Sequence, residues 1–223
     1  MKNPNNVLLC GFEAFDGEQL NPSWLVAERV AQENLAEKEG AFAVNAVQLP
    51  CEFDRSLIVL TEAIERHQPS LVLCLGQAGG RPDISVERIG INCMDAPIAD
   101  NAGSQPIDSA VIEHAEAAFF STLPIKAIVQ SLRDEGIPAS VSNSAGTYVC
   151  NQVLYGVLQY LARQDLSDVR AGFIHLPYLP EQALSHRGAA SMSLDVMVKA
   201  IRLGLRVAID TQKDIRLEAG QSH

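Results

Sequence analysis

The chain has 223 residues, 47% of them apolar, which is enough for one sizeable core and suits one α/β domain spanning residues 1–223. Lys and Arg number 17 against 27 Asp and Glu, a net charge of −10 with no Lys/Arg-rich run, so nucleic acid is not an expected partner. No apolar stretch approaches the roughly 18 residues of a membrane span, and the polar residues 1–6 lack the apolar segment of a leader, so a soluble cytoplasmic protein with no membrane partner is expected.

Short apolar runs of strand length alternate with longer segments of helical period, the pattern of a parallel sheet covered by helices on both faces. A strand is expected over 7–10, then the turn GFEAFDG at 11–17, which puts Phe12 and Phe15 on a loop, then a helix over 22–34. A strand over 43–49, a helix over 54–67 and a strand over 71–75 follow. The last runs into LGQAGGR at 75–81, which matches neither GxGxxG nor GxxxxGKS/T and reads as a tight turn bringing backbone to a small ligand. Residues 84–94 read as extended chain in a hairpin, and 95–108, rich in Asp, Asn, Gly and Pro, as a long functional loop. A helix over 125–135, a strand over 139–141, a helix over 148–162, a strand over 172–176 and a helix over 193–209 complete the series. In the last helix Leu194, Val198, Ile201, Leu205 and Ala208 recur at three- and four-residue steps, giving one apolar face. The expected fold class is α/β, a three-layer αβα sandwich with a mostly parallel central sheet and a hairpin excursion.

Five cysteines, an odd number without a CxxC pair, read as reduced thiols, and no metal or cofactor is expected. Cys10, Cys51, Cys74 and Cys93 lie in or beside apolar runs, whereas Cys150 follows SAGT at 144–147 and falls in the first turn of a helical pattern. There the positive end of the helix dipole favours thiolate, and free backbone N–H groups offer donors to an oxyanion. The competing reading makes Cys150 a core residue on the face of Val153 and Val157. His175 ends the run GFIHLPY at 172–178, at the carboxyl edge where open α/β sheets place their sites, and an imidazole there is suited to accept the thiol proton. Glu87, in SVERIGIN at 85–92, is a candidate to orient that imidazole, although taken in isolation a surface strand glutamate paired with Arg88 accounts for it better.

Taken together, GFEAFDGEQLNPSW at 11–24, LGQAGGRPDISVERIGIN at 75–92, STLPIK at 121–126, GIPASVSNSAGTYVCNQ at 136–152 and GFIHLPYLPEQ at 172–182 resemble the pyroglutamyl peptidase I family. The resemblance implies a cysteine-type omega peptidase that removes an N-terminal pyroglutamyl residue from peptides, with Cys150 as nucleophile, His175 as base and Glu87 as the third member. It also implies that Phe12, Phe15 and the side chain of Gln77 hold the pyroglutamyl ring, and that the protein is a homotetramer. An uncharged lactam with one N–H and one C=O suits an apolar pocket holding one acceptor and one donor, and a charged amino terminus would lose its hydration there.

The chain departs from the family pattern where members commonly read ARIPDN. Residues 96–101 read APIADN, so Pro97 replaces an arginine, and Gln152 stands where a histidine is common after Cys-Asn. Pro97 motivates a second reading, a non-catalytic or weakly active protein that binds pyroglutamyl peptides. A nucleoside phosphorylase on the same layered architecture is a third, which lacks basic phosphate ligands.

Overall fold

The computed structural model describes residues 6–36 and 42–220, so the polar first five residues lie outside the described part. In chain order the elements are β1 (Asn6–Phe12), α1 (Pro22–Ala36), β2 (Ala43–Leu49), α2 (Arg55–His67), β3 (Leu71–Gln77), β4 (Ile84–Glu87), β5 (Ile89–Ile91), β6 (Ala118–Phe120), α3 (Ile125–Asp134), β7 (Ala139–Ser142), α4 (Val149–Arg163), β8 (Arg170–Leu176), α5 (Pro180–Ala183) and α6 (Leu194–Asp210). Six strands form the central sheet in the order β2-β1-β3-β8-β4-β7. The first four are mutually parallel, and β4 runs antiparallel to β8 and parallel to β7.

Strand alternation divides the apolar side chains between two cores. Val7, Leu9, Leu71, Leu73 and Leu75 face one side, with Val26 and Val30 of α1, Ile128 of α3 and Ile201 of α6. Leu8, Cys10, Val72, Cys74 and Phe173 face the other, with Leu60 of α2 and Val153 and Val157 of α4. That two-residue period against a three- to four-residue period produces the αβα sandwich.

The expected hairpin takes a different form. The chain breaks at Arg88: β4 joins the main sheet and β5 leaves it to pair antiparallel with β6, which the sequence reading did not include. Residues 95–108 are a loop closed at its base by an antiparallel bridge between Met94 and Ser109. The C-terminal segment also ties elements together. Asp214 accepts hydrogen bonds from Lys126 N and Ala127 N in the first turn of α3, and Arg88 donates to the Ala219 carbonyl at 2.6 Å.

Candidate active site

Alternation along β8 turns Phe173 toward α4, and His175, two residues on, shares that side. In β4, Ile84 and Val86 face the opposite core, which turns Ser85 and Glu87 toward α4 as well. Ser85 is the register partner of His175, so Glu87 lies diagonally across from the imidazole. Its Oε1 stands 2.7 Å from His175 Nδ1, and the same oxygen accepts a 2.7 Å bond from Arg81 Nη1. Arg81 Nη2 donates to the Ser144 carbonyl at 3.1 Å. Glu87 is 0% exposed and His175 4%. The alternative surface pair is not formed, because Arg88 points away to Asn143 and Ala219.

Burial pushes the Glu87 carboxyl up, but the hydrogen bond and charge of His175, the Ser142 hydroxyl and the Arg81 charge more than offset it and hold it below the usual value. An ionised carboxylate only accepts, so His175 Nδ1 carries a proton toward Glu87, and in the neutral ring Nε2 presents its lone pair.

Cys150 is the second residue of α4, reached through a turn in which Gly146 adopts φ +79°. Tyr148 at the helix start supplies no side-chain cap, so the first-turn N–H groups keep their donor capacity. A Cβ at Gly76 of β3 would lie 2.8 Å from Cys150 Sγ and from the Phe173 ring, so the glycine makes room for the thiol against the sheet. Cys150 keeps partial exposure, but the protein around its thiol, then Cys51 and Glu87, push it well above the ordinary thiol value against the pull of Arg81. Burial therefore works against the thiolate bias expected from the helix start.

A cavity of about 180 Å³ has Phe12, Phe15, Gln77, Arg81, Cys150 and His175 in its wall. The six candidate residues thus meet in one place, except that Glu87 lies behind His175 instead of lining the cavity. Phe12 is buried and tilted against Phe173 with centroids 6.3 Å apart, so it serves the core as well as the cavity. Phe15 is partly exposed, its centroid 6.1 Å from that of Tyr148. A larger depression of about 370 Å³ around Glu18 and His186 is lined by neither Cys150 nor His175.

Sequence reasoning missed several residues of the wall. Tyr148, whose hydroxyl donates to the Ala99 carbonyl at 3.1 Å, packs edge-on to Phe53. Cys51, read as a plain core thiol, also lines the cavity and is pushed up to about 12 by burial. Only an aromatic placed just before a helix start, and a cysteine just after a strand, were there to signal them. Pro97 is exposed and does not line the cavity, and Arg81 is the permanent cation among the described lining residues. Gln152 is fully buried and structural: its amide donates to Asp54 Oδ1 at 3.0 Å and accepts from Asp54 N at 3.1 Å, holding the start of α2. Asn151 accepts from Ile91 N and donates to the carbonyls of Ile91 and Cys93, pinning the chain after β5 to the start of α4.

The family model described as pyroglutamyl peptidase matches residues 5–211. Pyrrolidone-carboxylate peptidase of Cupriavidus taiwanensis is 48% identical over 217 residues, covering 97% of this chain and 99% of the relative. Pyrrolidone-carboxylate peptidase 1 of Photorhabdus laumondii is 51% identical over 223 residues with the same coverage. The crystal structure of pyroglutamyl peptidase I from Bacillus amyloliquefaciens superposes with a TM-score of 0.91 at 43% identity, covering 96% of this chain and 99% of that one. With a matching family model along nearly its whole length and relatives at about half identity, the chain belongs to the pyroglutamyl peptidase family.

Proposed function

We propose that this chain hydrolyses the amide bond after an N-terminal pyroglutamyl residue, with Cys150 as nucleophile, His175 as general base and acid, and Glu87 as the group that orients His175. The observation that carries the reading is the 2.7 Å contact from Glu87 Oε1 to His175 Nδ1, with His175 and Cys150 in the wall of one cavity. Because burial disfavours a free thiolate, attack is coupled to proton transfer. Cys150 Sγ bonds to the pyroglutamyl carbonyl carbon as its proton passes to His175 Nε2. Charge then develops on the carbonyl oxygen, where first-turn N–H groups of α4 supply donors. Collapse breaks the C–N bond, and the departing amine takes the proton from Nε2. Water, deprotonated by the same nitrogen, cleaves the thioester, releasing pyroglutamate and restoring the thiol. Glu87 stays ionised throughout and stabilises the transient imidazolium.

Phe12 and Phe15 provide apolar walls for the ring, and Gln77 a polar contact. Arg81, tied to Glu87, serves as the cation near the reacting atoms in a chain where Pro97 stands in place of the family arginine. The test is release of fluorophore from a pyroglutamyl amide before and after thiol alkylation. Cys150→Ala and His175→Ala are each expected to abolish turnover while leaving the melting curve in place, and near wild-type rates in either would remove that residue from the reaction. We also propose a cytoplasmic homotetramer acting on pyroglutamyl peptides, supported by the family resemblance; a sedimentation mass equal to one chain would exclude the tetramer.

A further inference from the structure

Among the described residues, none of the loop over 95–108 lines the cavity, yet three consecutive members of it reach the segments that do. The Ala99 carbonyl accepts from the Tyr148 hydroxyl at 3.1 Å. Asp100 is buried and accepts from Phe53 N at 2.7 Å through Oδ2, and through Oδ1 from Ala102 N at 2.9 Å and Ser104 N at 2.8 Å. With Gly103 at φ +84°, those bonds close 100–104 into a tight turn anchored to Phe53, whose ring meets that of Tyr148 edge-on at 5.3 Å. Asn101 Nδ2 donates at 2.9 Å both to Glu13 Oε1 and to the Ala14 carbonyl, in the two residues just before Phe15. Asn101 N donates to the Cys51 carbonyl at 3.1 Å, and Cys51 N donates to the same Glu13 oxygen at 3.1 Å. A backbone carbonyl can only accept, so only one orientation of the Asn101 amide satisfies its partners.

Phe15 lies in irregular chain between β1 and α1, so its place beside Tyr148, 6.1 Å between ring centroids, depends on what ties that chain down. Both residues line the cavity, Phe15 from one segment and Tyr148 from the start of α4. Residues 99–101 are the piece of chain that holds both. Ala99 and Asp100 grip the Tyr148 side, directly and through Phe53, and Asn101 grips the Phe15 side through Glu13 and Ala14. We propose that Asn101 is a positioning residue for substrate binding: it clamps the Glu13–Ala14 turn to the bracket that holds Tyr148, and so sets the gap between the two aromatic sides of the cavity for a compact ring. Asn101 itself touches no reacting atom. The inference rests on the function proposed above and adds to it a task for a loop that stands outside the cavity.

The test measures KM and kcat on a pyroglutamyl amide, together with the dissociation constant of 2-pyrrolidinone by calorimetry, which needs no turnover. Asn101→Ala removes both donors from an exposed side chain, so KM and the dissociation constant should each rise roughly 3- to 10-fold while kcat stays within about twofold. Asn101→Asp sets a second carboxylate against Glu13 and should raise both constants roughly 10- to 50-fold. Adding Glu13→Gln to Asn101→Asp restores a donor–acceptor pair with the roles exchanged and should recover at least roughly threefold of that loss, a dependence on charge that general loosening of the loop does not produce. An Asn101→Ala enzyme that keeps both wild-type constants overturns the proposal, and so does an Asn101→Asp loss that Glu13→Gln leaves untouched. A fall in kcat as large as the rise in KM also overturns it, since Asn101 would then support the reacting groups instead of the binding cavity. Asn101→Ala decides the matter should Asn101→Asp fail to fold. Wild-type protein that binds 2-pyrrolidinone without hydrolysing the amide would overturn the function and leave the clamp to be judged on the binding constants; one that does neither would overturn both.

Discussion

Glu87 serves two nitrogen donors through one oxygen. Arg81 and His175 both reach Oε1, while Oε2 is buried without a partner among the described residues. Glu87→Gln keeps the volume but can offer an N–H to Nδ1, which would favour the tautomer with Nε2 protonated; kcat on a pyroglutamyl amide is expected to fall roughly 10³- to 10⁴-fold. A loss smaller than tenfold would argue against the orienting role. Arg81 also pulls the Cys150 thiol down against burial, Cys51, Glu87 and Cys74. The alkylation rate of Cys150 by iodoacetamide should therefore keep rising above about pH 9, and Arg81→Met, by removing the cation, should move that rise further upward. A plateau already reached near neutral pH would mean a resting thiolate–imidazolium pair. Cys150 and His175 stood out in the sequence because each obeys a local rule, one at a helix start and one at a strand end. Glu87 did not, since its neighbour Arg88 suggested a surface pair and only the alternation within a paired strand turns the two apart.

At the level of elements, the strand–helix series was readable because each segment carries its own period, and the observed boundaries fall close to those expected. Residues 84–94 are the exception. They have strand-like composition throughout, but which partner each half takes depends on β8, β7 and β6, and nothing within the segment encodes that choice. The site depends on close approach between elements. Gly76→Ala would bring a methyl to 2.8 Å from Cys150 Sγ, between the thiol and the Phe173 ring. Displacement of the thiol should lower kcat/KM by at least about 10²-fold, and stability should drop by about 1–3 kcal/mol in urea titration. Wild-type kcat/KM in the Gly76→Ala enzyme would show that the sulfur has room to move without consequence. Asn151→Leu strands Ile91 N and two carbonyls, so unfolding free energy should drop by about 2–4 kcal/mol. A change under about 0.5 kcal/mol would mean that other partners replace the amide.

For the whole molecule, the sign of the Glu87 shift sets an acid limit. A carboxyl held below its usual value contributes stability that is fully present above the unfolded-state value and is lost as pH falls through the lower folded one. Urea unfolding free energy should therefore fall below about pH 4.5, and Glu87→Gln should make that acid fall shallower. Equal slopes in both proteins would place the acid sensitivity elsewhere. The other whole-molecule feature is the position of β8. It is the last strand in the chain, yet it is wedged between β3 and β4, both made much earlier. A ribosome-bound fragment ending before residue 170 contains Cys150 and Glu87 but no imidazole between them, and β3 and β4 have no common neighbour. On the proposed mechanism, a half-synthesised chain carries a sulfur with nowhere to send its proton, so hydrolytic competence arrives only as the final strand closes the sheet.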